Sequence, residues 1–347
     1  MFGRHSEETK KRRQGGPLGI VRVFLSLIMI STFGLGVFFV LGRFAGESIK
    51  LPELPNIRSL VTSEDFLKVA KGVLTVDPRT SLRLFTDLLS QSKTGNLNSE
   101  ASPTPSPQGP KLFTFAVVSD SHNDNANLTK ALKMAKDSGV AFVIGLGDYS
   151  DVGTIDELVN TKAQFDTVDI PYYLTAGDHD LWDSRDKNSS PSTNFTQVFG
   201  SPYASFSKAG VRFILLYNSD NYLGIDGIQM EWIKEQLKLA QEEKSKLTFI
   251  MAGIPIFHPT SDHVMGKTNP KLKTQAEELI GLFKNAQVAE VFAGDAHFYS
   301  HFTEPSTNLK MTVVGAITST RNLQQPRLVL VDVFEGGSYN IQDTEIK

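Results

Sequence analysis

The stretch LFTFAVVSDSH, residues 112–122, decides how this chain is read. Its apolar run from 112 to 119 is nearly continuous, the pattern of a strand buried on both faces. It ends on Asp120 and His122. A strand covered on both sides belongs inside an α/β sheet, and ligands of such sheets bind at the carboxyl ends of the strands. The two polar residues therefore sit where chemistry is expected.

The pattern repeats downstream. Residues 127–136 read as a helix, 141–146 as a second strand, 154–165 as a helix and 172–176 as a third strand. This β-α-β-α-β order predicts a parallel core with right-handed crossovers. Residues 203–206 and 211–217 read as a hairpin, 230–241 as an amphipathic helix, 247–254 as a buried strand, 274–283 as a helix and 289–293 as a strand. The runs MTVVGAI, RLVLVDVF and SYNIQ make the end strand-rich and hairpin-like. The natural packing is two sheets with helices outside.

Each strand of the parallel set is followed by Asp or His. Asp120 and His122 follow the first, Asp148 the second, Asp178, His179 and Asp180 the third, His258 a later one, and Asp295 and His297 the last. Any one of these has a plain explanation, since Asp after a strand is commonly a turn or cap residue. Five strand ends so furnished do not. His263 and His301 lie outside the pattern and read as surface or structural residues.

The ordered motifs SDSH, GLGD, AGDHD, IPIFH and GDAH resemble those of the calcineurin-like metallophosphoesterases. The resemblance covers roughly residues 111–340 and implies a four-layer α/β/β/α sandwich, two mixed sheets flanked by helices. It implies that Asp120, His122, Asp148 and His297 bind a first metal ion. Asp148, Asp178, His258 and Asp295 fall in the slots of a second, with Asp148 bridging. His179 matches the residue facing the substrate phosphate, and Asp180 the acid that would orient it. Two divalent ions, from Mn, Fe, Mg or Zn, would clamp the phosphoryl oxygens and activate a water. A phosphomonoester, phosphodiester or pyrophosphate is the substrate class implied. Where purple acid phosphatases carry a metal-binding Tyr, this chain has Asp151.

Two positions depart from the family pattern. Asp178 stands where Asn is usual, and Asp295 where a His is usual. The ligand set then carries Asp120, Asp148, Asp178 and Asp295, whose formal charge cancels two divalent cations. An oxygen-rich second site favours a Mn-like ion over zinc. The same departures favour the rival reading, a weak or inactive domain of this fold that serves as a binding or signalling module.

The rest of the chain sets the context. The 347 residues are 40% hydrophobic and 21% charged with a net charge of −3, which offers no field for nucleic acid. There is no cysteine, so no disulfide and no thiol nucleophile. Residues 1–22 form a basic tail expected in the cytoplasm. Residues 23–41 (VFLSLIMISTFGLGVFFVL) carry no charge and as a helix would span roughly 30 Å. They are expected to be an uncleaved transmembrane anchor that places the remainder outside the cytoplasm. Residues 42–92 read as a helical stalk, 93–110 as a Ser/Pro-rich linker, and 111–347 as the catalytic domain. A small or lipid-linked phosphate ester is the expected partner.

Overall fold

A computed structural model describes residues 109–322 and 324–347. The expected tail, anchor and stalk, and nearly all of the linker, lie outside the described residues. Among the described residues no helix is long and apolar enough to cross a membrane.

Strand β1 (Lys111–Val118) leads into α1 (Asn125–Asp137), β2 (Val143–Gly145), α2 (Ile155–Asp166) and β3 (Tyr172–Leu174). A 3-10 turn at His179–Leu181 and two short helices follow, α3 (Trp182–Asp186) and α4 (Thr193–Phe199). Then come β4 (Ala204–Lys208), β5 (Val211–Leu216), α5 (Gly227–Glu242), β6 (Leu247–Ala252), α6 (Pro270–Asn285) and β7 (Glu290–Ala293). The chain closes with β8 (Ser300–Thr303), β9 (Lys310–Val313), β10 (Arg327–Phe334) and β11 (Tyr339–Glu345).

These strands form two mixed sheets, in the orders β11-β10-β1-β2-β3 and β4-β5-β6-β7-β9-β8. The expected parallel core is present: β1, β2 and β3 run parallel, as do β5, β6 and β7. The expected C-terminal hairpin is present in β10 and β11, which pair antiparallel, but the strand before them departs from it. Strand β9 runs parallel to β7, and β8, which has no apolar run to announce it, pairs antiparallel outside it. Helices α3 and α4 were also not foreseen, because their few buried side chains give no helical stripe.

Helix starts follow local chemistry. The Asp124 side chain accepts from Asn127 N to cap α1, and Thr154 with Glu157 forms a reciprocal capping box on α2. Three apolar layers hold the sandwich. Between the sheets Phe115 stacks on Phe142 at 5.4 Å and meets the edge of Phe213 at 5.1 Å. Outside the first sheet lie Leu128, Leu132, Leu158 and Phe165 of α1 and α2; outside the second lie Ile233, Leu237, Leu279 and Phe283 of α5 and α6. Helices, sheet, sheet, helices is therefore the order of layers. Each fully buried Phe or Leu contributes about 1.5–3 kcal/mol, so the layers fix the strand ends firmly.

Two glycines allow the close approach of chain segments at those ends. A Cβ on Gly294 would lie 2.0 Å from Ser119 Oγ, across from one sheet to the other. Gly147 adopts φ +103, and a Cβ there would lie 2.2 Å from Gly177 N. Only glycine allows both the approach and the dihedral.

Candidate metal centre

The carboxyl ends of β1, β2, β3 and β7 converge on one cluster. The donor atoms of Asp120, His122, Asp148 and His297 all lie within 4.8 Å of one another, and so do those of Asp148, Asp178 and His179. Asp148 belongs to both groups. Five of the residues at these strand ends hold left-handed backbone: Asp120 (φ 56), His122 (φ 42), Asp148 (φ 54), Asp295 (φ 68) and His297 (φ 59). Such dihedrals cost energy in any L residue and gather at functional sites. Here they turn successive side chains inward from abrupt strand ends.

Hydrogen bonds lock the carboxylates. Asp295 N donates to Asp120 Oδ1 at 3.0 Å, and His179 N to Asp148 Oδ1 at 3.1 Å. Asn221 Nδ2 donates to Asp178 Oδ2 at 2.9 Å, while Asp178 Oδ1 is buried without a partner. Burial first, then the charge of Asp295, raises the Asp120 carboxyl well above its ordinary range; burial and Asp178 do the same to Asp148. Burial also raises Asp178, again with Asp295 as the next cause.

The imidazoles respond oppositely. Burial, with His179 and His297 beside it, lowers His122 to about 3, so the ring is neutral. His122 Nε2 and His297 Nε2 stand 3.1 Å apart, and His122 Nδ1 is buried with no hydrogen-bond partner, 3.9 Å from Asp151 Oδ1. His297 Nδ1 donates to Arg321 O at 3.1 Å, which leaves its Nε2 lone pair facing the cluster. Neutral rings, packed acids and orphaned polar atoms are the chemistry of a divalent-metal site. No lysine or arginine pairs with Asp120, Asp148, Asp178 or Asp295 among the described residues.

Three expected residues are placed differently from their expected roles. His258 does not join the cluster. Its Nδ1 accepts from Thr260 N at 3.1 Å and from Ser261 N at 2.8 Å, and its Nε2 meets Ser300 Oγ at 3.0 Å. Its Nδ1 is thus engaged within its own loop and its Nε2 by the first residue of β8. Asp295 lines the same cavity but belongs to neither group of close donors; its carboxylate approaches His263 Nδ1 at 3.7 Å. The nearby Asp295 carboxylate, as the first cause, raises His263 above its ordinary value.

Asp180 lies behind His179 in sequence but does not touch its imidazole. It is fully buried and accepts from Tyr149 N, Ser150 N, Ser150 Oγ and Gly177 N at 2.8–3.1 Å, tying two loops of the centre together. Burial raises it to about 6. His179 is oriented instead by Asp151 O, to which its Nδ1 donates at 2.7 Å, and by Trp182, whose ring lies 3.8 Å from its own. Tyr149, adjacent to Asp148, is buried in the core against Phe165 and Phe195 rather than in the site.

Above the cluster opens a cavity of about 650 Å³, lined by Asp148, Asp178, His179, Asp295 and His297 together with Thr260, Ser261, His263, Phe298 and Arg321. Arg321 was invisible to the motif reading. The signal that reaches it is topological: it lies in the loop after β9, and β9 runs parallel to β7, so the loop opens on the same edge.

A family model described as calcineurin-like phosphoesterase matches residues 113–301. The rat serine/threonine-protein phosphatase CPPED1 (Rattus norvegicus) is 29% identical over 154 residues, 43% of this chain and 48% of its own length. Its zebrafish counterpart (Danio rerio) is 30% identical over 156 residues, with the same coverage of 43% and 48%. The chain thus spans about half the length of these relatives. Among solved structures, a purple acid phosphatase from yellow lupin (Lupinus luteus) superposes with a TM-score of 0.54 at 13% identity, covering 70% of this chain and 53% of that one. The last likeness is one of fold.

Proposed function

The chain belongs to the calcineurin-like phosphoesterase family, and on that premise we propose that it is a metal-dependent hydrolase of phosphate esters. One observation carries the reading most: Asp148 is shared by two groups of metal-binding side chains, as a bridging carboxylate must be. Asp120, His122 and His297 with Asp148 would hold one cation, and Asp178 with Asp148 would hold the other. When bound, the two cations supply charge stabilisation for the phosphoryl oxygens and a water of lowered pKa. The residues themselves do the rest. His297 is held in the tautomer that offers Nε2 by its bond to Arg321 O. Asp120 and Asp148 are fixed by the backbone N–H groups of Asp295 and His179.

His179 is assigned the proton transfer at the leaving oxygen. Its Nδ1 is fixed on Asp151 O, so Nε2 is the nitrogen left to serve a substrate in the cavity. Replacing it should lower kcat and leave the metal content unchanged. The relatives are named as serine/threonine-protein phosphatases, which favours a phosphomonoester over the diester and pyrophosphate alternatives. Mn is the preferred ion because Asp148 and Asp178 would offer the second cation oxygen ligands.

The test is turnover of p-nitrophenyl phosphate with Mn, together with metal analysis. The wild type should hydrolyse it and bind two ions per chain, and Asp148→Ala should lose both properties. No turnover with any divalent metal would sink the proposal. It would leave the second reading, a binding module of this fold, which the engagement of both His258 nitrogens by protein groups, Ser261 N and Ser300 Oγ, favours.

Membrane anchoring through residues 23–41, with residues 111–347 outside the cytoplasm, is a further part of the proposal. It rests on the uncharged run and the basic residues before it. Release of the protein from membranes by alkaline carbonate would refute it.

A further inference from the structure

The domain has four arginines in its described residues: Arg185, Arg212, Arg321 and Arg327. Three of them pair with carboxylates, Arg185 with Asp220, Arg212 with Glu243 and Arg327 with Asp343. The fourth, Arg321, makes no side-chain hydrogen bond or ion pair with any described residue. Yet it lines the same cavity as Asp148, Asp178 and Asp295. A guanidinium left unpaired beside such a cluster is free for a ligand.

Its position is built rather than accidental. The loop that carries it is stitched to the end of β1: Ile317 N donates to Ser119 O at 2.9 Å and Thr318 N to Asp120 O at 3.0 Å. Asn322 Nδ2 closes the loop on Ala316 O at 3.1 Å and Thr318 O at 2.8 Å. Arg321 itself takes φ 55 and offers its carbonyl to His297 Nδ1. The residue that orients a metal-binding imidazole through its carbonyl is thus itself part of the cavity lining.

Charge gives the position a purpose. Asp120, Asp148, Asp178 and Asp295 cancel the formal charge of two divalent cations, so metals and ligands together offer an anion no net attraction. Arg321 adds the missing positive charge and, as a planar fork, can grip two oxygens at once.

We infer that Arg321 is a substrate-binding residue that grips the phosphoryl oxygens and selects dianionic phosphomonoesters over diesters. The inference rests on the hydrolase reading for its substrate class. A monoester carries one more negative charge than a diester, so loss of the guanidinium weakens it more.

The experiment compares wild type, Arg321→Met and Arg321→Lys, each Mn-loaded, in two readouts. Calorimetry measures the binding of inorganic phosphate, and kcat/KM is measured for p-nitrophenyl phosphate and bis-p-nitrophenyl phosphate. Arg321→Met is expected to weaken phosphate about 10- to 100-fold, the range of a charge-assisted hydrogen bond. Its kcat/KM should fall by a similar factor on the monoester and less than about threefold on the diester. Arg321→Lys should bind phosphate more tightly than Arg321→Met, and equal binding by the two overturns the inference. So does wild-type phosphate binding no tighter than that of Arg321→Met, or an equal loss on both esters. If the wild type binds phosphate through Arg321 but turns over neither ester, the anion site stands and the hydrolase reading falls. Turnover with phosphate binding indifferent to Arg321 has the reverse meaning.

Discussion

Glu290 opens β7, the strand that leads to Asp295 and His297, and it is wholly buried. Thr312 Oγ1 donates to its Oε1 at 2.8 Å, and the Tyr339 hydroxyl lies 2.8 Å from both its Oε2 and Ala289 O. Burial raises the acid to about 7 from the ordinary 4.5, against the opposing hydrogen bonds. A folded pKa above the unfolded one means that the native state binds more protons between pH 4.5 and 7. Stability from this group is therefore complete below pH 4.5 and is lost as pH rises through 7. A rise of 2.5 units corresponds to about 3 kcal/mol. Glu290→Gln mimics the protonated acid: its amide can donate to the Tyr339 oxygen while the Tyr339 hydrogen goes to Ala289 O. Urea unfolding of residues 98–347, the compact unit, should find the variant about 3 kcal/mol more stable at pH 8 and equal to wild type near pH 4.5. In melting temperature this is roughly 6–12 °C at pH 8. Parallel pH profiles for the two proteins, or a less stable variant at pH 8, would refute the reasoning.

Two shorter predictions concern residues whose placement departs from the motif reading. Asp180→Ala orphans the N–H groups of Tyr149, Ser150 and Gly177. At about 1–3 kcal/mol each, offset by roughly 3 kcal/mol of relieved charge burial, the net loss should be about 3 kcal/mol. Chemical denaturation at pH 7.5 checks it, and unchanged stability with a displaced pH–rate profile would restore the role of orienting His179. His258→Ala should leave the bound metal per chain as in wild type, whereas His297→Ala should lose an ion. Elemental analysis decides, and loss of metal in the His258 variant would return that ring to the centre.

The parts of this site that the sequence made legible are those that a strand end fixes directly. Asp120 and Asp148 follow strands whose apolar runs leave little doubt about register, so their arrival at one edge follows from the parallel order. His297 follows the last of these strands, and the short turn after β7 leaves it few places to go. A motif gives a residue's position along the chain but not the direction of its side chain. Asp180 was therefore expected against His179, though the tight turn at 177–179 aims it backward at three N–H groups. His258 was expected at a metal for the same reason, while two N–H groups of its own loop claim its Nδ1. Arg321 depends on a loop that crosses from the second sheet to the first, and no local pattern records a crossing. The interior strands carried clear signals, whereas β8 at the sheet edge, with alternate residues exposed, carried almost none.

The centre is too costly to be a by-product of folding. Asp120 and Asp148 are 0% and 2% exposed, and neither has a cationic side chain beside it among the described residues. Burying an ionised carboxylate unpaired costs several kcal/mol. Left-handed backbone at Asp120, His122, Asp148, Asp295 and His297 adds of order 1–3 kcal/mol each, less where Asp tolerates it. Together these approach the whole stability of an ordinary domain, about 5–15 kcal/mol. A bound cation offsets both costs at once, because it neutralises the acids and fixes the turns that present them. Metal should therefore be a major source of stability here. With Mn at 100 times its dissociation constant the gain is about 2.7 kcal/mol, or roughly 5–11 °C in melting temperature. Melting of residues 98–347 after chelation, with and without added Mn, measures it. Asp148→Ala, which removes the shared ligand, should melt at one temperature in both conditions. Coincident wild-type melting curves with and without metal would mean that the acids are held apart by something other than a cation, and the metal assignment would fail with them.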